Sequence, residues 1–105
     1  PTNLGVGVAV PHARCPRLEQ PRVVFGRSAD GVAFGTQSPD LVHLIFMLVT
    51  PAEQPNLQVL LLAQVARVAG DPEKRRLLRS ASSAAEVKEL LATVPAPAPP
   101  DKGTR

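Results

Sequence analysis

Two side chains of the 105-residue sequence could do chemistry together: His12 and Arg14, two residues apart and directly after Pro11. An imidazole titrates near neutrality, so part of it is always neutral and nucleophilic, and one ring nitrogen can react while a hydrogen bond holds the other. In an extended chain, residues i and i+2 point to one side, so Arg14 could hold an anion beside the ring. Other chemistries find little support. His43, the second histidine, opens an apolar run and reads as an edge residue satisfied by solvent or a carbonyl. Cys15 is the single cysteine; it rules out an internal disulfide, fits a reducing compartment and reads as a small residue beside Arg14. One cysteine and two distant histidines argue against zinc. Gly5-Val6-Gly7 lacks the third glycine and the following helix of a dinucleotide fingerprint, and no serine stands in a Gly-x-Ser-x-Gly turn.

The elements that must position His12 follow from the pattern around it. Leu4 to Val10 is apolar and β-branched, interrupted by glycines, and reads as a buried strand in which Gly7 lets backbone approach closely beside the site. Pro11 has no N–H to donate and ends the ladder, which places His12 just past a strand's end. Cys15-Pro16 and Gln20-Pro21 frame a turning loop. Arg22 to Arg27 reads as a strand, Asp30-Gly31 as a hairpin turn and Val32-Ala33-Phe34 as the return. After a turn-rich loop from Gly35 to Asp40, Leu41 to Val49 reads as a central strand covered on both faces, closed by Thr50-Pro51.

Helices fill the remainder. Pro55 suits a first turn, Leu57, Leu60, Leu61, Ala63, Val65 and Val68 form an inward face, and Gly70 stops the helix. Asp71-Pro72-Glu73 starts a second helix with Leu77 and Leu78 inward. Ser83 and Glu86 make a capping box for a third, with Val87, Leu90, Leu91 and Val94 as its inner stripe. From Pro95 to Arg105 the Pro-rich segment has no apolar face to bury and is expected disordered or extended.

Composition bounds the rest. A hydrophobic content of 44% supports one modest core, and with no Trp or Tyr and three Phe it must be built from Val, Leu, Ile and Ala. The net charge of +3 argues only for solubility and weak attraction to anions. The basic run from Lys74 to Arg79 lacks a stacking set of aromatics, so it reads as a solvated or partner-facing helix surface and not as a nucleic-acid reader. No stretch approaches the ~20 apolar residues of a membrane span and none resembles an export signal, so a cytoplasmic location is expected, either alone or as the cytoplasmic part of a membrane protein.

The run Pro1-Thr2-Asn3-Leu4-Gly5-Val6-Gly7-Val8-Ala9-Val10-Pro11-His12-Ala13 resembles, without a gap, the phosphorylation-site motif of the enzyme IIA domains of the bacterial sugar phosphotransferase system, in the mannitol, fructose and nitrogen-regulatory class. The likeness continues through Phe34-Gly35, the strand Leu44 to Pro51 and the helix ending at Gly70-Asp71-Pro72. It implies that His12 accepts a phosphoryl group from a histidine phosphocarrier protein and passes it to an enzyme IIB domain or a fused transporter, or acts as a phosphorylation-dependent regulator, without metal or cofactor. Arg14 and Gly7 would be neighbours of the phosphate. Gln58 stands where many members carry a second histidine and could donate an amide hydrogen bond there; Asn3 and Val6 replace a usual Gly and Asn. Arg14, Arg17 and Arg27 would ring a small docking patch. Periodicity alone gives an α+β chain with a small mixed sheet. The resemblance implies an α/β class fold, the mannitol-type sandwich with helices on both faces, spanning residues 1–94 and lacking the N-terminal strand, helices and Arg-Glu pair usual in the family. The face left bare would call for a homodimer or a segment of the parent chain. The alternative is a regulatory interaction module that keeps the fold and signals by binding, attached to a transporter or a regulator.

Overall fold

The computed structural model describes residues 4–34 and 40–92. Within them four strands, β1 (Val8–Ala9), β2 (His12–Cys15), β3 (Arg22–Ala33) and β4 (Leu41–Pro51), precede three helices, α1 (Pro55–Ala69), α2 (Pro72–Ser80) and α3 (Ala84–Ala92). The fold is mixed α/β. The expected loop at Gly35 to Pro39, Val94 and the Pro95 to Arg105 tail fall outside the described residues.

All pairing runs through β4. On one side β3 lies antiparallel to it, and on the other β1 and β2 both run parallel. Ala9 lies opposite Ile45 and His12 opposite Leu48, three residues on along both chains, so β1 and β2 share one register and form a single interrupted edge. The interruption is Pro11. It has no N–H to give, yet its carbonyl still accepts from the Leu48 N–H at 2.9 Å. Pairing therefore resumes at once, and His12 opens β2 instead of standing beyond the ladder. The first strand is also shorter than its apolar run suggests. Gly5 and Gly7 have φ of +81° and +79°, a conformation that bends the chain and delays extended backbone to Val8.

Asp30-Gly31 does not make a hairpin. β3 is continuous, and both its halves pair with β4: Arg27 opposite Leu44, then Val32 opposite Val42. Ser28 to Gly31 thus face His43 alone, a bulge whose glycine adopts φ +90°. The Ser28 hydroxyl accepts from the Gly31 N–H at 3.0 Å, and His43 Nδ1 donates to the Ser28 carbonyl at 3.0 Å, which closes the bulge on itself. A bulge and a hairpin both need a residue tolerant of positive φ. Strand pairing decides between them.

β4 alternates. Val42, Leu44, Phe46, Leu48 and Thr50 are buried, while Leu41 and Met47 are exposed and His43, Ile45 and Val49 half-buried. The strand is thus covered on one face, not both. On that face Val8, Val10, Leu44, Phe46 and Leu48 pack with Val65, Val68, Ala69, Leu78 and Val87 from the three helices, and Phe25 meets Phe46 with ring centroids 5.1 Å apart. The described helices lie on this single side. On the opposite side Val24, paired to Met47, is 58% and Met47 45% exposed, whereas Ala9, opposite Ile45, is fully buried.

Local signals set the helices. Pro55 opens α1, and Gly70 ends it in ordinary right-handed geometry with its N–H on the Ala66 carbonyl at 2.8 Å. Asp71 caps α2 by accepting from the Glu73 and Lys74 N–H groups at 3.0 and 3.4 Å. In α3 the Ser83 hydroxyl accepts from Glu86 N–H at 3.1 Å, but the Glu86 carboxylate reaches back to Ser82, taking its N–H at 3.1 Å and its hydroxyl at 2.7 Å. The capping box is therefore offset by one residue.

Candidate functional site

His12 begins β2 with its side chain exposed. Its Nδ1 lies 2.8 Å from the carbonyl oxygen of Val10. A carbonyl can only accept, so Nδ1 carries a hydrogen, and in the neutral ring this leaves the lone pair on Nε2. The ring is held by the backbone two residues earlier, and Nε2 of this exposed residue has no partner among the described residues.

Side chains directly opposite in a ladder share a face of the sheet. Arg14 is opposite Thr50, and His12 is opposite Leu48, so His12, Arg14 and Thr50 all belong to the face that carries the helices. α1 arrives above them directly after β4, and its buried Gln58, 7% exposed, accepts from Arg14 Nε through Oε1 at 3.3 Å. The structure thus joins Arg14 and Gln58, two of the residues expected around the phosphate. It adds Thr50, which sequence reasoning passed over. That side chain is fully buried and its Oγ1 has no hydrogen-bond partner. The only signal in the sequence was a hydroxyl closing an otherwise apolar strand.

Gly7 goes elsewhere. Its carbonyl accepts from the His43 and Leu44 N–H groups at 2.9 and 3.0 Å, and a Cβ at Gly7 would stand 3.8 Å from the His43 ring. Leu44 and Leu48 are four residues apart on β4, about 13 Å along a strand, so Gly7 lies at the other end of the sheet from His12. Arg27 is likewise drawn away: opposite Leu44, it donates to the Leu78 carbonyl at 2.8 Å. Arg17 lines a shallow cleft with Glu19 and Glu53 beyond the end of β2. Cys15 is a free, half-buried thiol next to Arg14. Among the described residues no group of His, Cys, Asp or Glu could hold a metal, and no helix is long and apolar enough to cross a membrane.

Residues 1–94 match the family model described as phosphoenolpyruvate-dependent sugar phosphotransferase system, EIIA 2. The fructose-specific EIIA component of Haloferax volcanii is 31% identical over 93 residues, covering 89% of this chain and 60% of that protein. Among solved structures, the nitrogen regulatory protein IIA-Ntr of Neisseria meningitidis superposes with a TM-score of 0.72 at 33% identity, covering 86% of this chain and 62% of that one. The mannitol IIA of Escherichia coli gives a TM-score of 0.68 at 30% identity, over 87% of this chain and 64% of that one. The chain spans less than two thirds of the length of each.

Proposed function

Because the chain belongs to the EIIA 2 family of the phosphoenolpyruvate-dependent sugar phosphotransferase system, we propose that it is a phosphocarrier whose acceptor atom is Nε2 of His12. The observation that carries this reading is the bond from His12 Nδ1 to the Val10 carbonyl, because in the neutral imidazole it leaves the reactive lone pair on Nε2 of an exposed side chain. Nε2 attacks phosphorus in line, the donor's phosphorus–nitrogen bond breaks as the new one forms, and the group moves without water or metal. Positive charge then grows on the ring, and the Val10 carbonyl, already accepting from Nδ1, stabilises it. Arg14 is the cation for the phosphoryl oxygens. Its bond to Gln58 is long at 3.3 Å, so exchanging that amide for an anionic oxygen costs little.

The donor in this reading is a histidine phosphocarrier protein, and the acceptor an enzyme IIB domain or a transporter fused to the parent chain. The test is phosphorylation of the chain by phosphoenolpyruvate with the general phosphotransferase enzyme and its phosphocarrier, read by intact mass. A single acid-labile phosphate, absent in His12→Ala, is expected.

A second reading, a regulatory module that signals by binding, rests on Gln58. This amide is buried, bonded to Arg14 and unable to take up a proton as a histidine would. A folded chain that takes no phosphate in the same experiment would favour this second reading.

A further inference from the structure

The basic run of α2 is left unused by chemistry at His12, and the fold gives it a definite setting. Pro72, Arg75, Arg76 and Arg79 recur at helical spacing and line one cleft of about 380 Å³, whose other wall is Val6 and Leu44. Three guanidinium groups therefore share one face of a nine-residue helix. Their internal partners do not balance them. Arg75 donates to the Ala69 carbonyl, a neutral acceptor. Arg76 is paired with Glu73 at 2.5 Å and 3.0 Å, both side chains exposed. Arg79 has neither a hydrogen bond nor an ion pair among the described residues. Arg75 and Arg79 are four apart, a like-charge spacing that costs a helix a few tenths of a kcal/mol, and Glu73 is the one acid on α2.

We propose that this cleft is a second anion site, which binds a small phosphomonoester through Arg75, Arg76 and Arg79. Planar guanidinium forks match the oxygens of a phosphate, and three of them exceed what one exposed carboxylate can neutralise. The exposed carbon of Val6 and Pro72 gives the ester's organic group a surface that inorganic phosphate would not use. Leu44 lines this cleft and Leu48 faces His12, so the two places lie at opposite ends of β4, about 13 Å apart. Occupancy of the cleft is independent of phosphoryl transfer. It bears on Gly7 and β1, the start of the same edge strand that carries the histidine.

The test uses the full 105-residue chain and amide and arginine Nε chemical shifts, titrated at constant ionic strength with phenyl phosphate, inorganic phosphate and phenol. Saturable shifts at Val6, Gly7 and the Arg79 Nε are expected, with phenyl phosphate binding tightest and phenol not at all. Arg79→Ala should weaken phenyl phosphate roughly tenfold and Arg79→Lys by less, since lysine keeps the charge and loses the fork. Arg22→Ala, on the distant strand β3, should change nothing. Shifts that never saturate, or equal losses in Arg79→Ala and Arg22→Ala, would reduce the effect to general charge attraction and overturn the site. His12→Ala is expected to titrate as the parent does, so failure of this site and failure of phosphoryl transfer at His12 are separate outcomes.

Discussion

The carbonyl of Val10 and the Nδ1 of His12, 2.8 Å apart, fix which ring nitrogen is free. If the chain carries phosphate as proposed, the group must reside on Nε2, and long-range proton–nitrogen spectra of the phosphorylated chain should show substitution there. Phosphate found on Nδ1 would require the Val10 bond to break first and would contradict the tautomer.

Arg14 and Gln58 should be energetically coupled. The Gln58 amide is buried and its Oε1 accepts from Arg14 across the interface of β2 and α1. A double-mutant cycle with Arg14→Ala and Gln58→Met, followed by urea unfolding, should give a coupling of about 0.5–1.5 kcal/mol. Additive losses would mean that the two side chains are only neighbours.

Thr50→Val should stabilise the chain. The hydroxyl is wholly buried without a partner, and valine keeps its shape while removing the unmet polar atom, a gain on the order of 1 kcal/mol. The urea midpoint should rise with the slope unchanged. A lower midpoint would show that the hydroxyl is bonded in solution.

Gly31→Ala should destabilise strongly. The residue has φ +90°, and an added Cβ would lie 2.7 Å from the Cβ of Leu41. Backbone strain and the clash together should cost about 2–3 kcal/mol, seen as a lower thermal midpoint. A neutral substitution would contradict the positive φ and the close approach of Leu41 at this position.

The start of α3 should be acid-sensitive. The Ser82 hydroxyl, and then the Ser82 N–H, hold the Glu86 carboxyl below its ordinary range. A depressed carboxyl contributes its full stability above the unfolded value, about 4.3, and loses it as pH falls through the folded one. The protection factors of amides in the first turn of α3, taken against the intrinsic exchange rate at each pH, should therefore be steady down to roughly that pH and fall below it. Glu86→Gln should flatten the profile.

Much of the fold was legible in the residues. Asp71-Pro72-Glu73 named the start of α2 because an N-cap acts through neighbours two and three positions away. The long apolar run named β4, although its one-sided burial was hidden because its uncovered positions, Leu41, Ile45 and Met47, are apolar too. Asp30-Gly31 misled because positive φ serves turn and bulge alike, and only pairing across to Val42 and Leu44 chooses. The site was half legible. His12 and Arg14 stand together in sequence, whereas Gln58 was reached only through the resemblance and Thr50 not at all. Both are brought to Arg14 by pairing and packing between distant segments, which no local pattern encodes.

Pro11 has one more effect. The interrupted edge formed by β1 and β2 has no strand on its outer side among the described residues, and such edges recruit other chains into shared sheets. A proline in the middle, and on the far side the bulge of β3, leave neither margin able to zip along its length. The proline beside the histidine is thereby also a device against fibrillar self-association along that edge.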